Sequence, residues 1–350
     1  VNSAADDEAV DRSDPAWEVA MFETDVLEIP QSARTGSLPA ESSVRTLLRD
    51  VHERYRDLQE GSVADYIPVL AEADPDLFAV SLAEAAGPMH TAGDTSALFT
   101  IQSISKAFVL ALVTDAIGHE SVHEIVGVNN TGLPFNSVIA LELNNGSPMN
   151  PMVNAGAIAT TALMPGRDGA AKFEAIQEGL SAFAGRPLRI DETVLESESA
   201  SNHRNRGIAD LLTSYDRLRI PAQEALDAYT RQCSLLVSSD DLAVMGATLA
   251  AGGVNPRTGR RVVSAEVCRD TLAVLASCGM YERSGEWMFE IGLPAKSGVS
   301  GGIVAVAPGK GAVGVFSPPL DRAGNSVRGL RTCAYLSRAL GLNLFASPSP

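Results

Sequence analysis

Lysine is nearly absent from this 350-residue chain, contributing four of its 27 basic residues, at positions 106, 172, 296 and 310. The rest are arginines, which stay protonated in proteins, so nearly the whole basic complement is excluded from accepting a proton. Positive charge as such is in deficit. Against 43 acids the formal net charge is −16, which repels nucleic acid and anionic membranes rather than binding them. No apolar run approaches the ~18 residues of a transmembrane helix, and the N-terminal residues show no charged-then-apolar leader pattern. The chain starts at Val1, so a processed or trimmed N-terminus stays open. Cysteine is scarce too. Cys233, Cys268, Cys278 and Cys333 are widely spaced with no Cys-x-x-Cys, which argues against a disulfide framework and reads as reduced core thiols in a cytoplasmic protein. With 45% hydrophobic and 20% charged residues, the composition is that of a soluble globular protein, one large domain or a two-lobed one.

Against that scarcity, Lys106 stands three residues after a serine in Phe99-Thr100-Ile101-Gln102-Ser103-Ile104-Ser105-Lys106. The apolar run Ala107 to Val113 that follows predicts a buried helix with Ser103 in its first turn. Positions i and i+3 share a helix face, which brings the Ser103 hydroxyl and the Lys106 amine within hydrogen-bond reach. A serine hydroxyl attacks a carbonyl poorly unless a base removes its proton, and a desolvated lysine can be that base because burial disfavours its charged form. A second lysine lies in Lys296-Ser297-Gly298, inside a glycine-rich segment that runs to Gly302. A Lys-Ser/Thr-Gly triplet downstream of Ser-x-x-Lys marks serine acyl-transfer enzymes of the penicillin-binding type. Gly298 is expected to let substrate approach the strand backbone closely.

Residues 1–43 are acidic and rich in Ser, Ala and Pro, and read as a partly flexible extension. A helix is expected from about residue 44, with Val44, Leu47, Leu48, Val51 and Tyr55 at helical spacing. Leu77 to Ala83 reads as a strand. A mostly helical stretch runs from Ser103 to about 280. Ile303 to Ala307 and Ala312 to Phe316, joined by Pro308-Gly309-Lys310-Gly311, read as a hairpin, and a last helix lies near Val327 to Leu340. The fold class is therefore α+β: an antiparallel sheet built from the N- and C-terminal parts, with a helical lobe inserted. The expected divisions are the extension 1–43, a catalytic domain 44–343 and a tail 344–350. Within the domain, the sheet lobe takes about 44–100 and 285–343, and the helical lobe about 101–284.

Other clusters are weaker alone. His119-Glu120-Ser121-Val122-His123 matches His-Glu-x-x-His, in which two histidines one turn apart bind zinc. Gly118 precedes it and a glycine-bounded turn follows, so any helix is short, and a solvated helix end is preferred to a metal site. Asn150 and Asn154 sit among small and apolar residues, suiting either a polar substrate or a turn. Ser197-Glu198 followed by Arg204-Asn205 adds a carboxylate and an amide. Tyr66, Tyr229 and Tyr281 are three of six tyrosines, each more simply a packing residue.

Taken together and in order, these segments resemble the serine-dependent glutaminase family, itself similar to the β-lactamase and penicillin-binding-protein fold. The likeness spans about residues 45 to 343. It includes Asp65-Tyr66-Ile67-Pro68, Phe99 to Lys106, Phe135-Asn136-Ser137, Asn150 to Ile158, Ser197-Glu198 with Arg204-Asn205, Gln232-Cys233-Ser234, Cys278-Gly279-Met280-Tyr281, Pro294 to Gly302 and Gly324-Asn325-Ser326. The resemblance implies hydrolysis of L-glutamine to L-glutamate and ammonia without metal or organic cofactor. It implies Ser103 as nucleophile, Lys106 as base, Tyr281 as proton relay and Tyr66 closing the site. The oxyanion would lie between the backbone N–H groups of Ser103 and Val299. Glu198 would hold the substrate's α-ammonium, with Asn154, Asn205 and Tyr229 around its α-carboxylate. It also implies a homo-oligomer, dimer or tetramer. Asn129-Asn130-Thr131-Gly132 departs from the family's usual Glu-Pro-Ser-Gly, at no catalytic position.

Two other functions compete. A β-lactamase or transpeptidase should carry Ser-Asp-Asn or Tyr-x-Asn between the two lysine motifs, and neither occurs. A catalytically silent glutamine sensor has no need of Ser103, Lys106 and Tyr281 together.

Overall fold

A computed structural model of the chain describes residue 26 and residues 28–32, 38–65 and 67–347. Most of the expected N-terminal extension, and Tyr66, lie outside the described residues. In order, the elements are α1 (Glu41–Tyr55), β1 (Ala79–Glu84), β2 (Met89–Gly93), β3 (Phe99–Thr100), a 3₁₀ turn (Gln102–Ile104), α2 (Ser105–Ile117), α3 (His119–His123), α4 (Ile139–Leu143), α5 (Asn154–Leu163), α6 (Gly169–Ala184), α7 (Glu192–Ser201) and α8 (His203–Ser214). There follow α9 (Ala222–Cys233), β4 (Leu236–Val237), α10 (Ser239–Ala250), α11 (Ala265–Cys278), α12 (Ser284–Glu290), β5 (Ala295–Gly298), β6 (Gly302–Ala307), β7 (Gly311–Phe316) and α13 (Val327–Leu340).

The main sheet runs β2-β1-β7-β6-β5 with every neighbouring pair antiparallel. N- and C-terminal strands meet at β1 and β7, where Val80 pairs with Val315 and Leu82 with Val313. This is the α+β arrangement read from the sequence, and the hairpin β6–β7 and the helix α13 fall where expected. On one face, Val80, Leu82, Ile303, Val313 and Val315 pack against Val44, Leu48 and Val51 of α1 and Leu330 and Leu336 of α13. The period of three to four on α1 thus meets the period of two on the strands. The other face is covered by α10, and its approach is close: a Cβ on Gly314 would lie 2.3 Å from Ser239 O, and one on Gly246 would lie 2.5 Å from the Ala312 Cβ. Only glycine leaves room there for helix and sheet to touch.

The small sheet β3–β4 anchors the segment that enters the site. Ser103 is not in the first turn of an α-helix, as the run of apolar residues predicts, but in the 3₁₀ turn ahead of it. The reason is local: Gln102 has φ of 49°, which an α-helix cannot contain, and Ser105 Oγ donates to Gln102 O at 2.7 Å. The helix proper starts at Ser105. Among the described residues no helix is long and apolar enough to cross a membrane, and all four cysteines are buried and unpaired.

Candidate active site

A cavity of about 250 Å³ opens at the junction of the sheet and the helices, lined by Ser103, Asn154, Glu198, Asn205, Tyr229 and Val299 among others. Each side chain arrives from a different element. Ser103 comes from the 3₁₀ turn, Asn154 from the first residue of α5, Glu198 from α7, Asn205 from α8 and Tyr229 from α9, while Val299 directly follows β5. The turn bearing Ser103 is pressed against β5: a Cβ on Gly298 would meet Ile101 O at 3.1 Å and Ile104 Cγ1 at 3.1 Å. The space Gly298 leaves is thus taken by the turn that carries Ser103, where its sequence context suggests substrate.

Lys106 is 1% exposed. Its Nζ donates to Asn154 Oδ1 at 2.7 Å and to Met152 O at 3.2 Å, and lies 5.9 Å from the ring centres of Phe135 and Tyr229. Burial lowers its pKa to about 8, against the raising pull of Cys233 and Glu198. Among the described residues the hydrogen bonds of Lys106 go to Asn154 and Met152, and the expected one with Ser103 is not formed. Burial chiefly pushes the Tyr281 phenol up, and the Ser103 hydroxyl holds it back. Tyr281 also donates to Ser297 O at 3.2 Å. Lys296, fully buried, donates to the same carbonyl at 2.7 Å and sits 4.3 Å from the Tyr281 ring centre. Burial, then repulsion from Lys106, drives its pKa well down.

The polar end of the cavity is a chain of amides. Asn154 Nδ2 donates to Asn205 Oδ1 at 2.9 Å, so the remaining donor of Asn205 is its Nδ2. Glu198, 8% exposed, accepts from Gln102 Nε2 at 3.4 Å. Burial raises its pKa to about 7, opposed by Gln102 and by Lys106. Tyr66 lies outside the described residues, but the next residue, Ile67, lines the cavity. Of the expected site residues, Tyr281 lines not this cavity but a neighbouring one of about 240 Å³. Phe135, 4.9 Å from Tyr281 between ring centres, borders both.

The glutaminase family model matches residues 61–345. The chain belongs to the glutaminase family. Glutaminase 2 of Yersinia pestis is 50% identical over 313 residues, 89% of this chain and 92% of the relative. The glutaminase of Brucella suis biovar 1 is 52% identical over 287 residues, 82% and 90% of the two chains. Among solved structures, the probable glutaminase ybaS aligns with a TM-score of 0.87 at 44% identity, covering 88% of this chain and all of that one. A probable glutaminase of Bacillus subtilis aligns with a TM-score of 0.81 at 33% identity, covering 86% and 98%. Glutaminase-family membership, with its β-lactamase-like fold, removes the lactamase and transpeptidase alternative.

In this glutaminase the His-Glu-x-x-His segment forms the five-residue helix α3. His119 Nδ1 bonds Asp270 Oδ2 at 3.1 Å, and among the described residues no group of three or more His, Cys, Asp or Glu is placed to hold a metal ion. Several lining residues lie in segments the sequence singles out but receive no role there: Gln102, which donates to Glu198; Phe135, which walls two cavities; and Arg204, whose Nε donates to Asn136 O at 2.8 Å. Gln102 had one readable signal, its place beside Ser103. The left-handed backbone that turns its side chain toward Glu198 had none.

Proposed function

We propose that this glutaminase hydrolyses L-glutamine to L-glutamate and ammonia through a glutamyl ester on Ser103, with Lys106 as the base. The observation that carries this reading is the hydrogen bonding of Lys106. Its amine donates to two acceptors, Asn154 Oδ1 and Met152 O. A neutral amine has two hydrogens and one lone pair, so this pattern accommodates the neutral form and leaves the lone pair to accept a proton. Ser103 Oγ attacks the side-chain amide carbon and its proton passes to Lys106. The oxyanion forms beside the backbone N–H groups of Ser103 and Val299. Tyr281 passes a proton to the departing nitrogen and is reprotonated from Lys106, so ammonia leaves as the C–N bond breaks. Water then attacks the ester, gives its proton to the same base, and Ser103 leaves with a proton returned to it.

The substrate's other end carries two opposite charges. Glu198 supplies the carboxylate for the α-ammonium, and the Nδ2 of Asn205, with Asn154 and Tyr229 beside it, faces the α-carboxylate. A pocket built on such groups rejects analogues that lack either charge. Tyr66 closes the site, a role supported by its neighbour Ile67 on the cavity wall. We assign the catalytic domain to residues 44–343, and the working form to a homo-oligomer, dimer or tetramer, in the cytoplasm. Exposed Ile139 and Leu143 on α4 and the buried, unpaired cysteines support these two assignments. Sedimentation equilibrium giving only monomer at micromolar concentration would remove the oligomer.

The deciding experiment is ammonia release from glutamine by the wild type and by Ser103→Ala. Undiminished release by the variant removes the mechanism, and trapping of a glutamyl adduct on Ser103 supports it.

A further inference from the structure

A second cavity, of about 210 Å³, lies between α2, α3 and α11 and shares no lining residue with the one at Ser103. We propose that it is a binding site for a small uncharged aromatic molecule carrying one hydroxyl, and that its occupancy acts on Lys106.

Size and lining set the body of the ligand. The walls include Leu110, Val122, Val126 and Val274, all buried apolar side chains. A dry apolar cavity of about 150 Å³ is enough to hold benzene in another protein, so this one admits a single substituted ring. The rim sets the polar group. His119 Nδ1 bonds the Asp270 carboxylate at 3.1 Å, which in the uncharged ring puts the proton on Nδ1 and leaves Nε2 as the acceptor. A ligand O–H donor matches that acceptor. Asp270 is also bonded by Arg269 through Nε at 3.0 Å and Nη2 at 2.8 Å, so its charge is already engaged and a cation gains little. The Asp270 carboxylate, itself on the wall, disfavours a second carboxylate there. Thr271, also on the wall, has a buried Oγ1 with no partner, so turning that hydroxyl toward a ligand breaks no existing hydrogen bond.

The cavity reaches the catalytic lysine by two routes. Leu110 lies one helical turn beyond Lys106 on α2, on the same face. Pro151 lines the cavity and directly precedes Met152, whose carbonyl accepts from Lys106 Nζ at 3.2 Å. A ring held between Leu110 and Pro151 therefore bears on both the helix that carries the amine and the strand of backbone that orients it.

The test uses phenol and benzoate as probes on the full chain. Calorimetry is expected to give phenol a Kd on the order of 1 mM, with benzoate at least tenfold weaker, and saturating phenol is expected to change kcat or KM for glutamine at least twofold. Ala273→Trp, at the exposed edge of the cavity, should keep basal activity and lose both phenol binding and the kinetic response. His119→Phe leaves the walls and should weaken phenol at least fivefold, which tests the rim independently should the first variant fold poorly. Absence of phenol binding to the wild type overturns the proposal. So does equal binding to Ala273→Trp, which would mean binding elsewhere, and binding with no change in kcat or KM overturns the coupling to Lys106.

Discussion

Lys106 and Asn154 are joined by a 2.7 Å hydrogen bond from Nζ to Oδ1. It couples Lys106, the proposed base, to the polar end of the pocket, because Asn154 passes the constraint on to Asn205. One amide orientation satisfies both contacts, so the position of the lysine amine and the free donor of Asn205 are set together.

Asn154→Asp is therefore expected to disable the base rather than the fold. A carboxylate against the ammonium favours the charged lysine, and such a neighbour moves a pKa by about 1–3 units. From its value of about 8, the Lys106 limb should move upward by at least one unit, with kcat/KM at neutral pH falling by at least about tenfold. The pH–rate profiles of Asn154→Asp and Asn154→Ser check this. An unshifted limb in the aspartate variant would count against Lys106 as base.

Glu198→Gln should trade activity for stability. Burial raises the carboxyl from 4.5 to about 7, so the folded protein holds this proton more tightly than the unfolded chain. Below pH 4.5 both states are protonated and ionisation has no cost, whereas above pH 7 the cost is complete. The glutamine variant should thus be more stable by up to roughly 3 kcal/mol at pH 8 and gain nothing near pH 4. Its kcat/KM should fall on the order of 100-fold, with KM carrying much of the loss. Denaturant titrations at the two pH values, with kinetics, test both halves.

Wild-type kcat/KM should rise with pH through two ionisations, that of Glu198 at about 7 and that of Lys106 at about 8, since the proposed mechanism needs both deprotonated. In the proposed binding mode the substrate ammonium meets Glu198 and lowers its pKa, so the lower ionisation should fade from the kcat profile. Its persistence in kcat would argue that Glu198 does not meet the ammonium.

Tyr281→Phe removes the hydroxyl that meets Ser103 and Ser297 O while keeping the ring against Phe135. Loss of a positioned proton-transfer group costs about 10²–10⁴ in rate, so kcat should fall by at least ~100-fold with KM little changed. A KM effect alone would reduce Tyr281 to a wall of the pocket.

Gly156→Ala should unsettle the site from beneath. A Cβ there would lie 1.9 Å from Asn150 O, a backbone atom that cannot rotate away, and Gly156 is two residues from Asn154 on α5. Overpacking of this kind costs about 1–3 kcal/mol, and a lower melting temperature together with reduced kcat is expected.

The Ser-x-x-Lys pair, the Lys-Ser-Gly triplet, the β6–β7 hairpin and the amphipathic helices at both ends were legible because each depends on spacing within a few residues. Less legible were contacts between distant segments. Gln102 reaches Glu198 across 96 positions, and Lys106 finds Asn154 across 48. His119 finds Asp270 across 151 positions where the motif suggested zinc. Nothing in local spacing encodes these partners.

By itself, the sequence determined which groups with useful chemistry exist and which segments must be buried, because periodicity and residue type act locally. Only the tertiary structure decided that Lys106 binds Asn154 and Met152 and that Glu198 is desolvated to about 7. Hydrogen-bond choice and desolvation depend on which segments close around a group, and that is settled only when the helices and the sheet pack together.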